Sequence, residues 1–181
     1  MAFFRLFSRG AALRAQALAL HGSLVQAARR PEFFGPERAP DTLEGRLEVL
    51  MLHGALLLER LRAEPGAERL AQLFTDRFFR ALDEGLREAG VGDLTVPRKM
   101  RRLAERFYGR LNAYGTGLQA GDAAQLGAAL LRILQPLGLH PGFAEPLAHY
   151  ALAAKAVLAQ QPVSALREPA VWPSPSTADG A

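Results

Sequence analysis

The sequence predicts an all-α protein, a single-domain helical bundle of about six helices. Apolar residues recur at steps of three and four through most of the chain. Proline and glycine cut that pattern into segments of helical length. The 181 residues fall within the size of one domain and suffice to bury a real core.

The first helix takes its apolar stripe from Leu13, Ala17, Leu20, Leu24 and Ala28, and Pro31 stops it. The loop RPEFFGPERAP follows, with Phe33 and Phe34 expected to pack on the domain rather than face water. Asp41 is the expected start of the second helix, with Glu44 three residues on in a capping-box arrangement. Over residues 47–61 this helix is apolar nearly all round, broken only by Glu48, His53, Glu59 and Arg60, which predicts a central place in the bundle.

After a break at Pro65 and Gly66, a broad arc of Leu70, Leu73, Phe74, Phe78, Ala81, Leu82 and Leu86 predicts a third helix ending near Gly90. Pro97 suits the first turn of the fourth, where its missing N–H costs nothing. On that helix Met100, Leu103, Phe107, Leu111, Tyr114 and Leu118 fall on one stripe and Arg98, Arg102, Arg106 and Arg110 on another. Asp122 caps a fifth helix stopped by Pro136, and Pro141 begins a sixth that ends before Pro162.

These breaks divide the chain into a basic segment and first helix over 1–32, a helical domain over 33–160 and a tail over 161–181. The tail is rich in proline and serine and reads as disordered, with Trp172 a chance exposed aromatic or, alternatively, a docking contact.

The longest nearly unbroken apolar run, VLMLHGALLL, is far shorter than the roughly 18 to 20 residues that cross a bilayer. The absence of cysteine excludes a disulfide framework, thiolate metal sites and a cysteine nucleophile. A net charge of +4 and a pI near 10.1 suggest acidic partners, ribosomal RNA or anionic lipid, although four charges are mild for a dedicated nucleic-acid binder.

No acid precedes Glu32, while Arg5, Arg9, Arg14, Arg29 and Arg30 do. Three readings stand open for this segment: a basic frayed terminus leading into a helix, a weak interfacial membrane contact through Phe3, Phe4, Leu6 and Phe7, or a mitochondrial presequence.

The arginine stripe is expected on the solvent side, with Lys99 and Arg101 beside it, because Glu105 is the only acid between Arg98 and Arg110. It reads as a solvated face or a surface for an acidic partner. The GVGDL loop has neither P-loop nor dinucleotide spacing.

Catalysis finds little support. His21, His53, His140 and His149 lie on separate segments without ligand spacing, and no serine sits in a nucleophile elbow. No metal site or cofactor is therefore expected, and His53 reads as a core histidine satisfied by one hydrogen bond.

The run DTLEGRLEVLMLHGALLLERLR, followed by LFTDRFFRALDEGLREAGVGDLTVPRKMRRLAERFYGRLNAYGTGL, resembles the core of the ubiquinol-cytochrome c chaperone family, the assembly factors of respiratory complex III. The resemblance covers residues 33–118 and extends more loosely to 160, with residues 90–110 its most specific part.

It implies a non-enzymatic helical chaperone for newly made cytochrome b, working with a small partner protein and the ribosome. For a bacterial chain it implies a cytoplasmic protein peripheral at the inner membrane; if the N-terminus is a presequence, the mitochondrial matrix or inner membrane takes its place. Arg98, Lys99, Arg102, Arg106, Arg110 and Tyr108 are the expected partner-binding residues, touching ribosomal RNA or an anionic membrane surface, with no role for DNA. Leu52, Leu56, Phe74, Phe78 and Phe79 are the expected apolar surface for client, which predicts a contiguous exposed patch. The alternative function is an RNA- or ribosome-binding helical module using the stripe from Arg98 to Arg110.

Overall fold

The proline and glycine breaks read from the sequence fall at or within a few residues of helix ends, although Pro141 opens a 3₁₀ turn and the last α-helix starts only at Ala144. A computed structural model describes residues 2–88, 90, 92, 94–163 and 172–175, and gives no side-chain account of residues 2–9. Among them are six α-helices: α1 (Ala2–Ala28), α2 (Leu43–Arg62), α3 (Glu68–Glu88), α4 (Val96–Ala120), α5 (Ala123–Leu134) and α6 (Ala144–Gln160). Short 3₁₀ turns at Pro31–Phe33, Gln135–Leu137 and Pro141–Phe143 connect them. No strand forms among the described residues, only a single bridge between Phe34 and Ala39.

The helix ends follow local chemistry, with one correction. The cap of α2 is Thr42, one residue beyond the expected Asp41, because the Thr42 hydroxyl accepts the Gly45 N–H at 3.1 Å. Asp41 instead pairs with Arg46 at 2.5 Å. Pro97 lies in the first turn of α4, and Asp122 caps α5 by accepting the Gln125 N–H at 3.0 Å. Between them Gly121 adopts φ +68°, the left-handed conformation that closes α4.

The nearly all-apolar α2 is central, packed against α1, α3, α4 and α6, while α5 covers α4 and α6. Two close approaches set the helix spacing. A Cβ on Gly54 would stand 3.0 Å from the Phe78 ring, and one on Gly117 would stand 2.8 Å from the Leu126 amide nitrogen.

Phe33 is fully buried and meets Tyr150 and His53 edge-on, at centroid distances of 4.8 and 5.3 Å. Phe34 is half-buried under the Arg46 guanidinium. Both loop phenylalanines therefore pack on the domain.

Trp172 is not a chance exposed aromatic. It is buried against His53, its indole N–H donates to the Ser23 hydroxyl at 3.1 Å, and Arg30 donates to the Trp172 and Pro173 carbonyls. A large amphipathic ring gains more from burial with its N–H satisfied than from solvent. Residues 172–175 thus lie on the bundle, and so do residues 161–163, where Arg60 donates to the Gln161 carbonyl at 2.9 Å and Gln16 to the Val163 carbonyl at 2.6 Å, against the disorder expected for the tail; for residues 164–171 and 176–181 that expectation lies outside the described residues.

Candidate partner interface

The four arginines of α4 have two different environments. Arg98 and Arg102 are exposed at the start of the helix, with Lys99 and Arg101 beside them, and none of the four makes an ion pair among the described residues. Arg106 and Arg110, one and two turns further, lie against α2. There Glu48, wholly buried, accepts from Arg106 at 2.6 Å and from Arg110 through both carboxylate oxygens, at 3.0 and 2.9 Å. Arg106 also reaches Glu44 at 2.9 Å.

The expected exposed stripe is therefore corrected for Arg106 and Arg110. The compensating acid is on another helix, and a buried carboxylate requires such partners. Burial alone would lower the Arg106 pKa, but its hydrogen bonds to Glu48 and Glu44 outweigh that and raise it above the ordinary arginine range. Tyr114 lies near the same pocket with its hydroxyl buried and unpartnered among the described residues. Burial first, and then the Glu48 charge, push its phenol well above the ordinary value.

The expected apolar client surface is also corrected. Leu52, Leu56, Phe74 and Phe78 are all buried, because α2 is enclosed by four helices and Phe78 stacks on Phe107 at 4.9 Å. Of that set Phe79 alone is half-exposed, meeting Phe107 edge-on and lying 6.2 Å from Tyr108. Tyr108 is 45% exposed. It stands at the shared rim of two hollows, one of about 640 Å³ between α2 and α4 and one of about 250 Å³ between α2, α3 and α4, both also lined by Arg62. The larger continues along α4 over Leu111, Asn112 and Gly115. The Phe79–Tyr108 edge is thus an accessible aromatic surface, made of two residues that the sequence already offered for contact with partner or client.

His53 is fully enclosed and makes two hydrogen bonds, one more than expected. The Val49 carbonyl 2.7 Å from Nδ1 can only accept, so Nδ1 carries the proton and Nε2 accepts from the Tyr150 hydroxyl at 2.7 Å. Burial lowers the His53 pKa to about 4, so the ring is neutral near pH 7. Among the described residues no group of three or more histidines, aspartates and glutamates could hold a metal ion.

A six-helix bundle with a basic helix end, a half-exposed aromatic edge and an open groove has the surface of a protein that binds other macromolecules. The chain belongs to the ubiquinol-cytochrome C chaperone family, whose model matches residues 38–172. That span takes in α2 to α6 and ends at Trp172, past the residues 33–118 that carried the resemblance in sequence.

The chain is 27% identical over 123 residues to ubiquinol-cytochrome-c reductase complex assembly factor 1 of Xenopus laevis. The match covers 67% of this chain and 61% of that relative's length. Its fold is that of the Cbp3 homolog from Brucella abortus, at 38% identity and a TM-score of 0.81, covering 98% of this chain and 99% of that one.

Proposed function

We propose that this chain is a non-enzymatic assembly chaperone for respiratory complex III, which binds newly made cytochrome b at the membrane or the ribosome. The observation that carries the reading is the continuous family match across α2 to α6, the helices that build the accessible surface. Arg98, Lys99 and Arg102 provide the electrostatic contact, with Arg101 beside them, since their charge is not spent inside the fold. Arg106 and Arg110 hold the base of that helix in place. Tyr108 at the groove, with Phe79 beside it, supplies the apolar contact.

Leu52, Leu56, Phe74 and Phe78 could meet client only if the bundle opened. A small partner protein and a peripheral place at the cytoplasmic face of a bacterial inner membrane complete the proposal.

The test is recovery of tagged protein from gently solubilised membranes of its host, with mass spectrometry of what accompanies it. Cytochrome b should be enriched, and the enrichment should fall with Arg98→Glu/Lys99→Glu/Arg102→Glu or with Tyr108→Ala. Unchanged recovery in both variants would refute the assigned surface. The unpaired cations also suit an RNA- or ribosome-binding module. That reading predicts recovery of RNA or ribosomes alone, with affinity falling steeply as salt rises.

A further inference from the structure

The turn that leads into α4 holds Leu94 98% exposed, the most exposed large apolar side chain among the described residues. The Thr95 N–H and the Thr95 hydroxyl both donate to the Gly92 carbonyl at 2.9 Å, which closes the turn and fixes Leu94 at its tip. The Thr95 hydroxyl is thereby spent on the turn and gives α4 no side-chain cap.

Behind Leu94 the described charge is all of one sign. Arg98, Lys99, Arg101 and Arg102 follow within the first two turns of α4, exposed and without an ion pair among the described residues. Asp93 is the single acid in the sequence between Glu88 and Glu105. At 100° per residue Arg98, Arg101 and Arg102 fall within an arc of about 100° opposite the buried Val96, Leu103 and Phe107, with Lys99 at its flank. Cations there repel one another and stand at the positive end of the helix dipole, so the arrangement does not serve the helix. Glu48 and Glu44 answer Arg106 and Arg110, but no acid answers the first four, which leaves their charge for an anion outside the fold.

The tip says which anion. RNA offers an aliphatic tip nothing, and Tyr108, the exposed aromatic that could stack on bases, is ten residues beyond Arg98, about 15 Å along α4. In a bilayer, a leucine set ahead of cations reaches the acyl boundary while the cations stay among headgroup phosphates. No helix here is long and apolar enough to cross a membrane, so the contact is peripheral.

We infer that the Leu94 turn and the basic first turns of α4 form the site that seats the bundle on an anionic lipid bilayer. This names what the Arg98, Lys99 and Arg102 surface touches; it rests on the peripheral location proposed above, not on the identity of the client.

The test is co-sedimentation of the full chain with vesicles of phosphatidylcholine mixed with phosphatidylglycerol, and with phosphatidylcholine alone. Binding should require phosphatidylglycerol and weaken by about tenfold with Leu94→Ser. Arg98→Gln/Arg102→Gln should weaken it by about tenfold or more, with circular dichroism reporting that the bundle remains folded. Arg69→Gln, at the start of α3 and about 30 Å along that helix from the turn, should leave it within about twofold.

Vesicle binding that survives both the Leu94 and the arginine variants would overturn the inference and move the membrane contact to another face. Binding lost with the arginine pair but unchanged in Leu94→Ser would show adsorption by charge alone and overturn the seating of the turn. Absence of binding to any vesicle would overturn the inference and the peripheral location together, while enrichment of cytochrome b would still support the chaperone reading. Arginine-dependent binding of a ribosomal RNA fragment without vesicle binding would give these cations to RNA and overturn the lipid reading.

Discussion

Arg110→Ala tests whether the α2–α4 contact depends on the buried carboxylate. The substitution removes two of the three hydrogen bonds that Glu48 receives and leaves Arg106 as its remaining partner. Breaking a buried ion pair from one side costs roughly 3–5 kcal/mol, because the surviving charge stays desolvated. Here the carboxylate is wholly buried, Arg110 is only 19% exposed, and Arg106 still serves one oxygen, so the lower end applies, about 3 kcal/mol. For a chain of this size that lowers Tm by roughly 6–12 °C.

Arg106→Ala should cost less, about 1.5 kcal/mol, because Arg106 is 30% exposed and Arg110 keeps both oxygens of Glu48 bonded. Urea unfolding followed by circular dichroism measures both, and Glu48→Met, Arg110→Met and the double variant Glu48→Met/Arg110→Met form a cycle with the unaltered protein. The double variant should be at least about 2 kcal/mol more stable than the sum of the two singles predicts. If Arg110→Ala instead matches the exposed Arg98→Ala, within about 0.5 kcal/mol, the network does not hold α4 on α2 and the reasoning fails.

Three further outcomes follow from the core. Burial holds the His53 pKa near 4 against 6.5 when unfolded, so the folded state favours the neutral ring. The stabilisation is complete above pH 6.5 and lost as pH falls towards 4, by roughly 3 kcal/mol, and unfolding measured across that window should lose most of its slope in His53→Gln. His21, whose pKa is also lowered by burial and by the Arg77 charge, contributes with the same sign and accounts for part of the remaining slope.

Trp172→Ala should cost about 3 kcal/mol or more by thermal unfolding, since a buried ring and its bond to Ser23 are lost; a change under about 0.5 kcal/mol would mean that the segment is not docked. Gly117→Ala should destabilise by roughly 1–3 kcal/mol because its methyl would meet the Leu126 backbone, whereas Gly109→Ala, with nothing within 4 Å of the new Cβ, should be neutral or slightly stabilising in the same assay.

The sequence by itself determined the helices, because their signals are local. A repeat of apolar residues, a proline in the first turn of α4 and an aspartate before α5 act within a few residues of where they stand. It also placed α2 at the centre, since a helix apolar on every side must be covered on every side.

Only the tertiary structure decided which charges are free. Arg106 and Arg110 meet Glu48 across 58 and 62 residues of chain, so their fate depends on the crossing of α2 and α4 rather than on spacing along α4. The same holds for His53, whose second hydrogen bond comes from Tyr150, 97 residues away, and for Trp172, held by Ser23 across 149. Leu52, Leu56, Phe74 and Phe78 are core rather than client surface for the same reason. Composition says that a side chain seeks burial, but only the packed helices determine what supplies it.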